Sequence, residues 1–414
     1  MPAEGPAATT SATERVPLLT IAREWGRIGC IGFGGPPAHI ALLRALCVEH
    51  RGWISAGEFE DGIAATNMLP GPASTQLAIF CAWRLRGPLG ALVGGACFIV
   101  PGLIVILALS AVVLAARPPP WIKGASLGAD AAVPVVALSA ALGLAPASWR
   151  RAGAPRPGRV RWACYLLAGG LAAALIGPFL VLILVGCGLL ELLVRTQPPL
   201  RHRARARDAA PPGAASLGAL LAEPAVLLKL AASAVAAGGL LSVAWVAFKV
   251  GSLSYGGGFV IVPLMQHDAV HTYHWMTSAQ FLSAVALGQV TPGPVVQTVA
   301  VLGYAAAGVG GALLASLVAF TPSFAIVLVG GSRFGQLRGN ARVQAFLTGA
   351  GPAAIGAIAG ATIPLGLALS HLWQLAVLAL AAAWLVGLRR GVVAAIVGAG
   401  ALGVIAALAG APVS

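Results

Sequence analysis

From Leu18 onward the chain is a succession of long apolar runs separated by short polar breaks. The first run, Leu18 to Phe33, ends in Gly34-Gly35-Pro36-Pro37 and is followed by an amphipathic stretch to Trp53 and a polar Glu58-Phe59-Glu60-Asp61. Apolar segments then cover about 62–83, 88–116 and 124–145. The run 162–194 is too long for one bilayer crossing and contains Gly177-Pro178, so it predicts a hairpin of two helices. Residues 1–16 form a polar tail without a signal-peptide pattern, and 17–194 form a first apolar unit. An Arg-rich linker, 195–215, leads to 216–414, which holds an extra span and a second unit.

The second unit repeats the first. Phe33-Gly34-Gly35 matches Tyr255-Gly256-Gly257, Trp53 matches Trp275, Phe59 matches Phe281, and Pro70-Gly71-Pro72 matches Pro292-Gly293-Pro294, each pair 222 positions apart. Arg27 and Lys249 share that spacing; Pro101 with Pro322 and Gly128 with Gly349 differ by 221. A constant offset across rare residue types marks an internal repeat.

Loop charges give the orientation. Arg84 and Arg86 follow the second apolar segment of the first half, while the matching loop near 305–309 has no cation. The next loop has only Arg117 and Lys123, against Arg333, Arg338 and Arg342 in the second half. Arg150, Arg151, Arg156, Arg159 and Arg161 precede the hairpin, where the second half has only His371; the hairpin tips carry no charge at Gly177-Pro178 and two at Arg389-Arg390. Basic residues mark the cytoplasmic side, so the halves are expected in inverted topology. An extra span over about 216–239 is then required. The expected fold is an all-α polytopic membrane protein with two inverted-topology repeats, broken helices and about 12–13 transmembrane segments, its N-terminus cytoplasmic and its C-terminus outside.

Composition agrees: 58% of residues are hydrophobic and 9% charged, with a mean hydropathy of +0.90. A soluble chain carries about a quarter charged residues. The net charge of +14 lies in short loops, which is the positive-inside pattern and not a nucleic-acid-binding face. Six cysteines lie scattered in apolar segments with no CxxC spacing, and read as buried free thiols. His267, His271 and His274 have spacing that could hold a metal, but a solvated loop is the plainer reading; neither a metal nor a cofactor is expected. No protease dyad, P-loop or nucleophile elbow appears, so the chain is not read as an enzyme.

The organising stretch is Asn67-Met68-Leu69-Pro70-Gly71-Pro72, with its counterpart Gln289 to Pro294. Two prolines and a glycine break a helix, and a break recurring in both halves of an apolar chain points to a transporter's binding site. The motifs Gly32-Phe33-Gly34-Gly35-Pro36 and Asn67–Pro72, with Tyr255–Gly258 and Gln289–Pro294, resemble the chromate transporter family over roughly 17–410. That resemblance implies efflux of the chromate dianion across the cytoplasmic (inner) membrane, coupled to protons and giving chromate resistance. A sulfate uptake carrier and a passive anion channel are the alternatives; a non-transporting scaffold would not need the matched breaks.

A tetrahedral oxyanion needs converging donors and a cation. Backbone N–H groups at half-helix N-termini favour anions, which selects Gly34, Gly35, Pro36, Pro70, Gly71, Pro72, Gly256, Gly257, Pro292, Gly293 and Pro294. Asn67, Ser74, Thr75, Gln76, Gln289, Thr291, Gln297 and Thr298 add neutral polar side chains. The alternative is that these glycines and prolines only permit close helix packing. Arg27 and Lys249 are the substrate cations, or else interfacial anchors; Arg23 reads as a partner of Glu24. Proton coupling needs a titratable group, and Asp130, inside a span, leads Glu24 and Asp61; Asp61 and His39 read as interfacial. Expected partners are chromate or sulfate, protons and the lipid bilayer, with a homodimer allowed and no nucleic acid.

Overall fold

The computed structural model describes residues 16–153, 156–176, 180–196, 239–254, 258–331, 334 and 340–413. Among them every regular element is helical. The first half contains α1 (Leu18–Ile31), α2 (Pro36–Arg44, continued as a wider turn Ala45–His50), α3 (Ala56–Thr66) and α4 (Ala73–Val113). Next come α5 (Pro120–Ala152), α6 (Arg156–Leu171, continued over Ala172–Ile176) and α7 (Leu180–Thr196). The second half contains α8 (Leu240–Leu253), α9 (Val262–Gln266, between Phe259–Ile261 and His267–Thr272) and α10 (Ser278–Val290). It ends with α11 (Thr298–Gly330, preceded by Val295–Gln297), α12 (Ala341–Leu367), α13 (Leu372–Ala382, continued over Ala383–Gly387) and α14 (Val392–Leu408). Gly177-Pro178, nearly all of the linker and extra span, Gly256, Gly257, Arg333 and Arg338 lie outside the described residues. The starts of α1, α3 and α5 recur at α8, α10 and α12 with the 222- and 221-residue offsets of the sequence repeat.

The breaks in the helices take the form of short hairpins. α1 has 14 residues, about 21 Å at 1.5 Å per residue and short of a hydrocarbon core of about 30 Å. After the Gly-Gly turn the chain reverses, because Arg51, beyond α2, reaches back to Glu24 of α1 at 2.9 Å. α3 and the start of α4 form a second hairpin around Pro-Gly-Pro: Glu58 pairs with Arg84, and Gly62 lies against Phe80. α4 itself folds at Arg86-Gly87, where Gly87 has φ +61°, into arms 73–85 and 88–113. Ala82 of the first arm then faces Gly90 and Gly94 of the second. α11 bends alike at Ala307-Gly308, bringing Gly303 against Gly311. Gly34-Gly35 and Pro70-Gly71-Pro72 are therefore tips of short hairpins and not kinks in continuous helices.

The equivalent hairpins lie at opposite ends of the arm 88–113. Ile54 and Glu58, at the start of α3, border the same surface cavity as Pro88 and Leu89. Ala279 and Gln280, at the start of α10, border one shared with Val113 and Leu114. The halves also interleave: α5 packs against α13 and α14, while α12 packs against α6 and α7.

Small residues allow this closeness. Gly29 lies against the Phe98 carbonyl as Gly251 lies against that of Ala319, and Gly128 meets Ala399 as Gly349 meets Cys187. In lipid, helices associate through packing of this kind. Large apolar side chains such as Leu92, Ile104, Leu313, Leu317, Ile363 and Leu367 point outward. Four helices among the described residues, Ala73–Val113, Pro120–Ala152, Val295–Gly330 and Ala341–Leu367, are long and apolar enough to cross a membrane. The chain is an all-α polytopic membrane protein.

Where α6 meets α12, a side chain at Gly169 would collide with the Ala353 carbonyl oxygen, whereas Gly143 faces open space. Gly169→Leu should destabilise the detergent-solubilised protein by about 2 kcal/mol or more, the order of overpacking. Gly143→Leu should stay within about 0.5 kcal/mol of the parent. Equal thermal midpoints for the two variants would refute the close approach.

Candidate functional site

Reversing a chain inside an apolar layer requires backbone shapes that side chains resist. The tips use glycine there: Gly34 has φ +96°, Gly35 +73°, Gly71 +117°, Gly258 +93° and Gly293 +93°. The four tips meet through a reciprocal tie. The Gly71 N–H donates to the Ser254 carbonyl at 2.7 Å, and the Gly293 N–H donates to the Gly32 carbonyl at 3.0 Å. Gly71 and Gly293 occupy equivalent places in the two repeats, as do Gly32 and Ser254. Each Pro-Gly-Pro tip therefore binds the residue that follows the first helix of the other half. The central glycine N–H groups are bonded to protein, contrary to the expectation that they face a substrate.

The helices that begin at this crossing have no side-chain cap. Their N-cap residues are Gly35 for α2 and Pro72 for α4, with Gly258 and Pro294 ahead of the turns leading to α9 and α11. By contrast α3, α10 and α12 are capped by Ser55, Thr277 and Asn340. Uncapped N-termini leave N–H groups and positive dipole ends directed at the crossing.

Buried polar side chains surround it. Gln76 donates through Nε2 to the Pro70 carbonyl at 2.6 Å, bracing the first tip, and its Oε1 has no partner. Gln297 donates to Ser316 at 3.0 Å, leaving its Oε1 unpartnered. Thr75 Oγ1, Ser254 Oγ, Gln289 Nε2 and Ser323 Oγ are also buried without protein partners. Ser323 Oγ and the Gln76 amide both border Gly71. Apart from one oxygen of Asp130, every such unpaired side-chain atom among the described residues lies on a tip segment or on α11 beside Gly71. Orphaned polar atoms cost free energy unless water or a ligand satisfies them, so the crossing is a polar site by construction. Thr291 and Thr298 differ: they donate to the Leu287 and Val295 carbonyls of their own turns.

His39 overturns its interfacial reading. It is fully buried, with Nε2 2.9 Å from the Gly32 carbonyl and Nδ1 3.2 Å from Ser74 Oγ. Since that carbonyl only accepts, Nε2 carries the proton, and neutral Nδ1 accepts from Ser74. The Gly-Gly reversal turns α2 inward and so draws residue 39 into the crossing.

The charged candidates separate. Lys249 is bound to Asp268 at 2.6 Å and sits 5.7 Å from the Trp245 ring. Its charge is neutralised, which corrects its reading as a free substrate cation. Arg27 stays on the exposed face of α1. Arg23 is exposed too, and Glu24 pairs with Arg51 instead of Arg23. Asp61 is half-buried on α3. Asp130 is buried on α5, accepting from Ser283 of α10 at 2.8 Å through one oxygen while the other has no partner. A cavity of about 340 Å³ opens beside it.

A second cavity, of about 200 Å³, reaches Asn67 and Gly71 of the first tip, with Ser148 and Arg151 from α5 on its wall. Arg151 had read only as a loop charge; nothing in its local sequence separates it from Arg150. His267 and His271 lie 5.9 Å apart between ring centres, and no group of three or more metal-ligating side chains occurs among the described residues.

No solved structure matches this chain. The chromate transporter family matches over residues 19–192 and 241–404. A chromate transport protein of Cupriavidus metallidurans is 31% identical over 82% of this chain and 80% of its own length. One from Pseudomonas aeruginosa is 31% identical over 86% and 84%, and a probable chromate transport protein of Synechococcus elongatus is 29% identical over 87% and 88%. A match that takes in both hairpin pairs, and relatives similar along most of their length, lead to one conclusion: this chain belongs to the chromate transporter family.

Proposed function

We propose that the protein is a secondary transporter exporting chromate across the cytoplasmic membrane in exchange for protons, and thereby giving chromate resistance. The observation that carries this reading is the crossing, where uncapped helix N-termini and unpaired buried polar groups converge. A dianion is the ligand such a positive, donor-rich centre favours. Moving two negative charges out of an inside-negative cell gains about 4.6 kcal/mol per 100 mV. Export is thus electrically favoured, and uptake of the same ion would need cations carried with it.

The halves act as inverted repeats in this reading, supported by the placement of α3 and α10 at opposite ends of the arm 88–113. Cysteines at Arg156 and Arg389 should be shielded from an impermeant thiol reagent outside intact cells, and one at Ser370 should react. Labelling of Arg389 and Ser370 from one side would exclude the inversion.

Asp130 is the proton carrier in this reading, because its unpartnered buried oxygen borders a cavity. Inverted vesicles should accumulate chromate when a proton gradient is imposed and lose accumulation when an ionophore collapses it. Asp130→Asn should keep chromate exchange but lose the dependence on the gradient. Chromate movement that is saturable yet indifferent to the gradient in the parent would favour a channel, and competition only by sulfate entering cells would favour an uptake carrier.

Gly71→Ala should lower transport at least tenfold with folded protein still in the membrane. Alanine resists φ +117° and its side chain would press on Gln76, disturbing the tie to Ser254. Gly293→Ala should behave alike, since Gly293 also has positive φ. Normal transport by both variants would remove the crossing from the transport path.

A further inference from the structure

We infer that Arg151 provides the cation that captures the anion on the cytoplasmic side, in the cavity beside the first Pro-Gly-Pro tip. This deepens the reading of the chain as an oxyanion exporter and rests on it. The cavity, about 200 Å³, is bordered by Asn67 and Gly71 of the tip, by Ser148 and Arg151 of α5, and by Val260 and Gly351 of the second half. That is room for a tetrahedral oxyanion with several waters, given the ~30 Å³ each water occupies in the liquid. No carboxylate borders it.

Its polar groups suit an anion. Ser148 Oγ accepts the Trp162 indole N–H at 3.0 Å, which leaves the hydroxyl proton free to donate elsewhere. Asn67 is exposed at the C-terminal end of α3 and brings amide donors. Arg151 forms no ion pair among the described residues, while Glu191 engages both Arg161 and Arg195, Glu24 engages Arg51, and Asp268 engages Lys249. A guanidinium can offer two parallel donors to two oxygens of one tetrahedral anion. Of the two cations singled out by the repeat, Lys249 is already neutralised and Arg27 does not border the cavity.

The plainer alternative is that Arg151 only offsets the negative end of α5, in whose last turn it sits. Arg150 shares that turn but does not border the cavity. The repeat sharpens the contrast, since the last turn of α12 holds no cation, and the position equivalent to Gly351 is Asp130. The end of α5 therefore carries a charge that the end of its counterpart lacks.

Two measurements on the full-length protein test this. In inverted vesicles, whose cytoplasmic face is outward, Arg151→Gln should raise the half-saturating chromate concentration about tenfold or more, the order of one charge-assisted hydrogen bond. Arg151→Lys should recover part of the loss, and Arg150→Gln should match the parent. Separately, with the six native cysteines replaced, Ser148→Cys should react faster with an anionic thiosulfonate than with a cationic one. Adding Arg151→Gln should abolish that preference. An unchanged half-saturation in folded Arg151→Gln, an equal rise in Arg150→Gln, or a preference indifferent to Arg151 would each overturn the assignment. A reduced amount of protein in the membrane with unchanged half-saturation would mark Arg151 as a lipid-phosphate anchor and overturn it too. If the parent moves no chromate at all, the exporter reading falls, while the reagent preference still judges the anion site.

Discussion

Two backbone hydrogen bonds hold the centre of this protein together: Gly71 N–H to Ser254 and Gly293 N–H to Gly32. Hairpin tips buried in an apolar layer expose backbone groups that water cannot reach, and each such group must find a partner within the protein. For these two groups the partner lies in the other repeat, so the tie at the centre forms only when both halves are folded together. The interleaving of α5 with α13 and α14, and of α12 with α6 and α7, extends the same dependence outward. The two sequence units are consequently not two structural units.

On this symmetric frame the chemistry is unequal. His39 sits at a tip where the repeat has Ile261, Asp130 stands where it has Gly351, and Arg151 ends α5 where the last turn of α12 has no cation. The pair Lys249–Asp268 is matched by Arg27 and Leu46, which cannot form an ion pair. Backbone duplication thus supplies a polar crossing shared by both halves, while single substitutions make one end cationic and the other acidic.

Much of this organisation was legible in the chain itself. Apolar runs, Gly-Gly and Pro-Gly-Pro at a constant offset, and the alternation of basic loops determined the helical membrane class, the repeat and the segments that matter. They did so because lipid admits few backbone arrangements and because glycine and proline act locally. Only the tertiary structure decided that the breaks are reversals and not kinks, because the direction a chain takes after a turn is set by what it packs against. It also decided that His39 is buried, that Lys249 is neutralised by Asp268, and that Arg151 and not Arg150 reaches a cavity. Each of these depends on residues distant in sequence, and a charge's partner or its access to a cavity has no local signature.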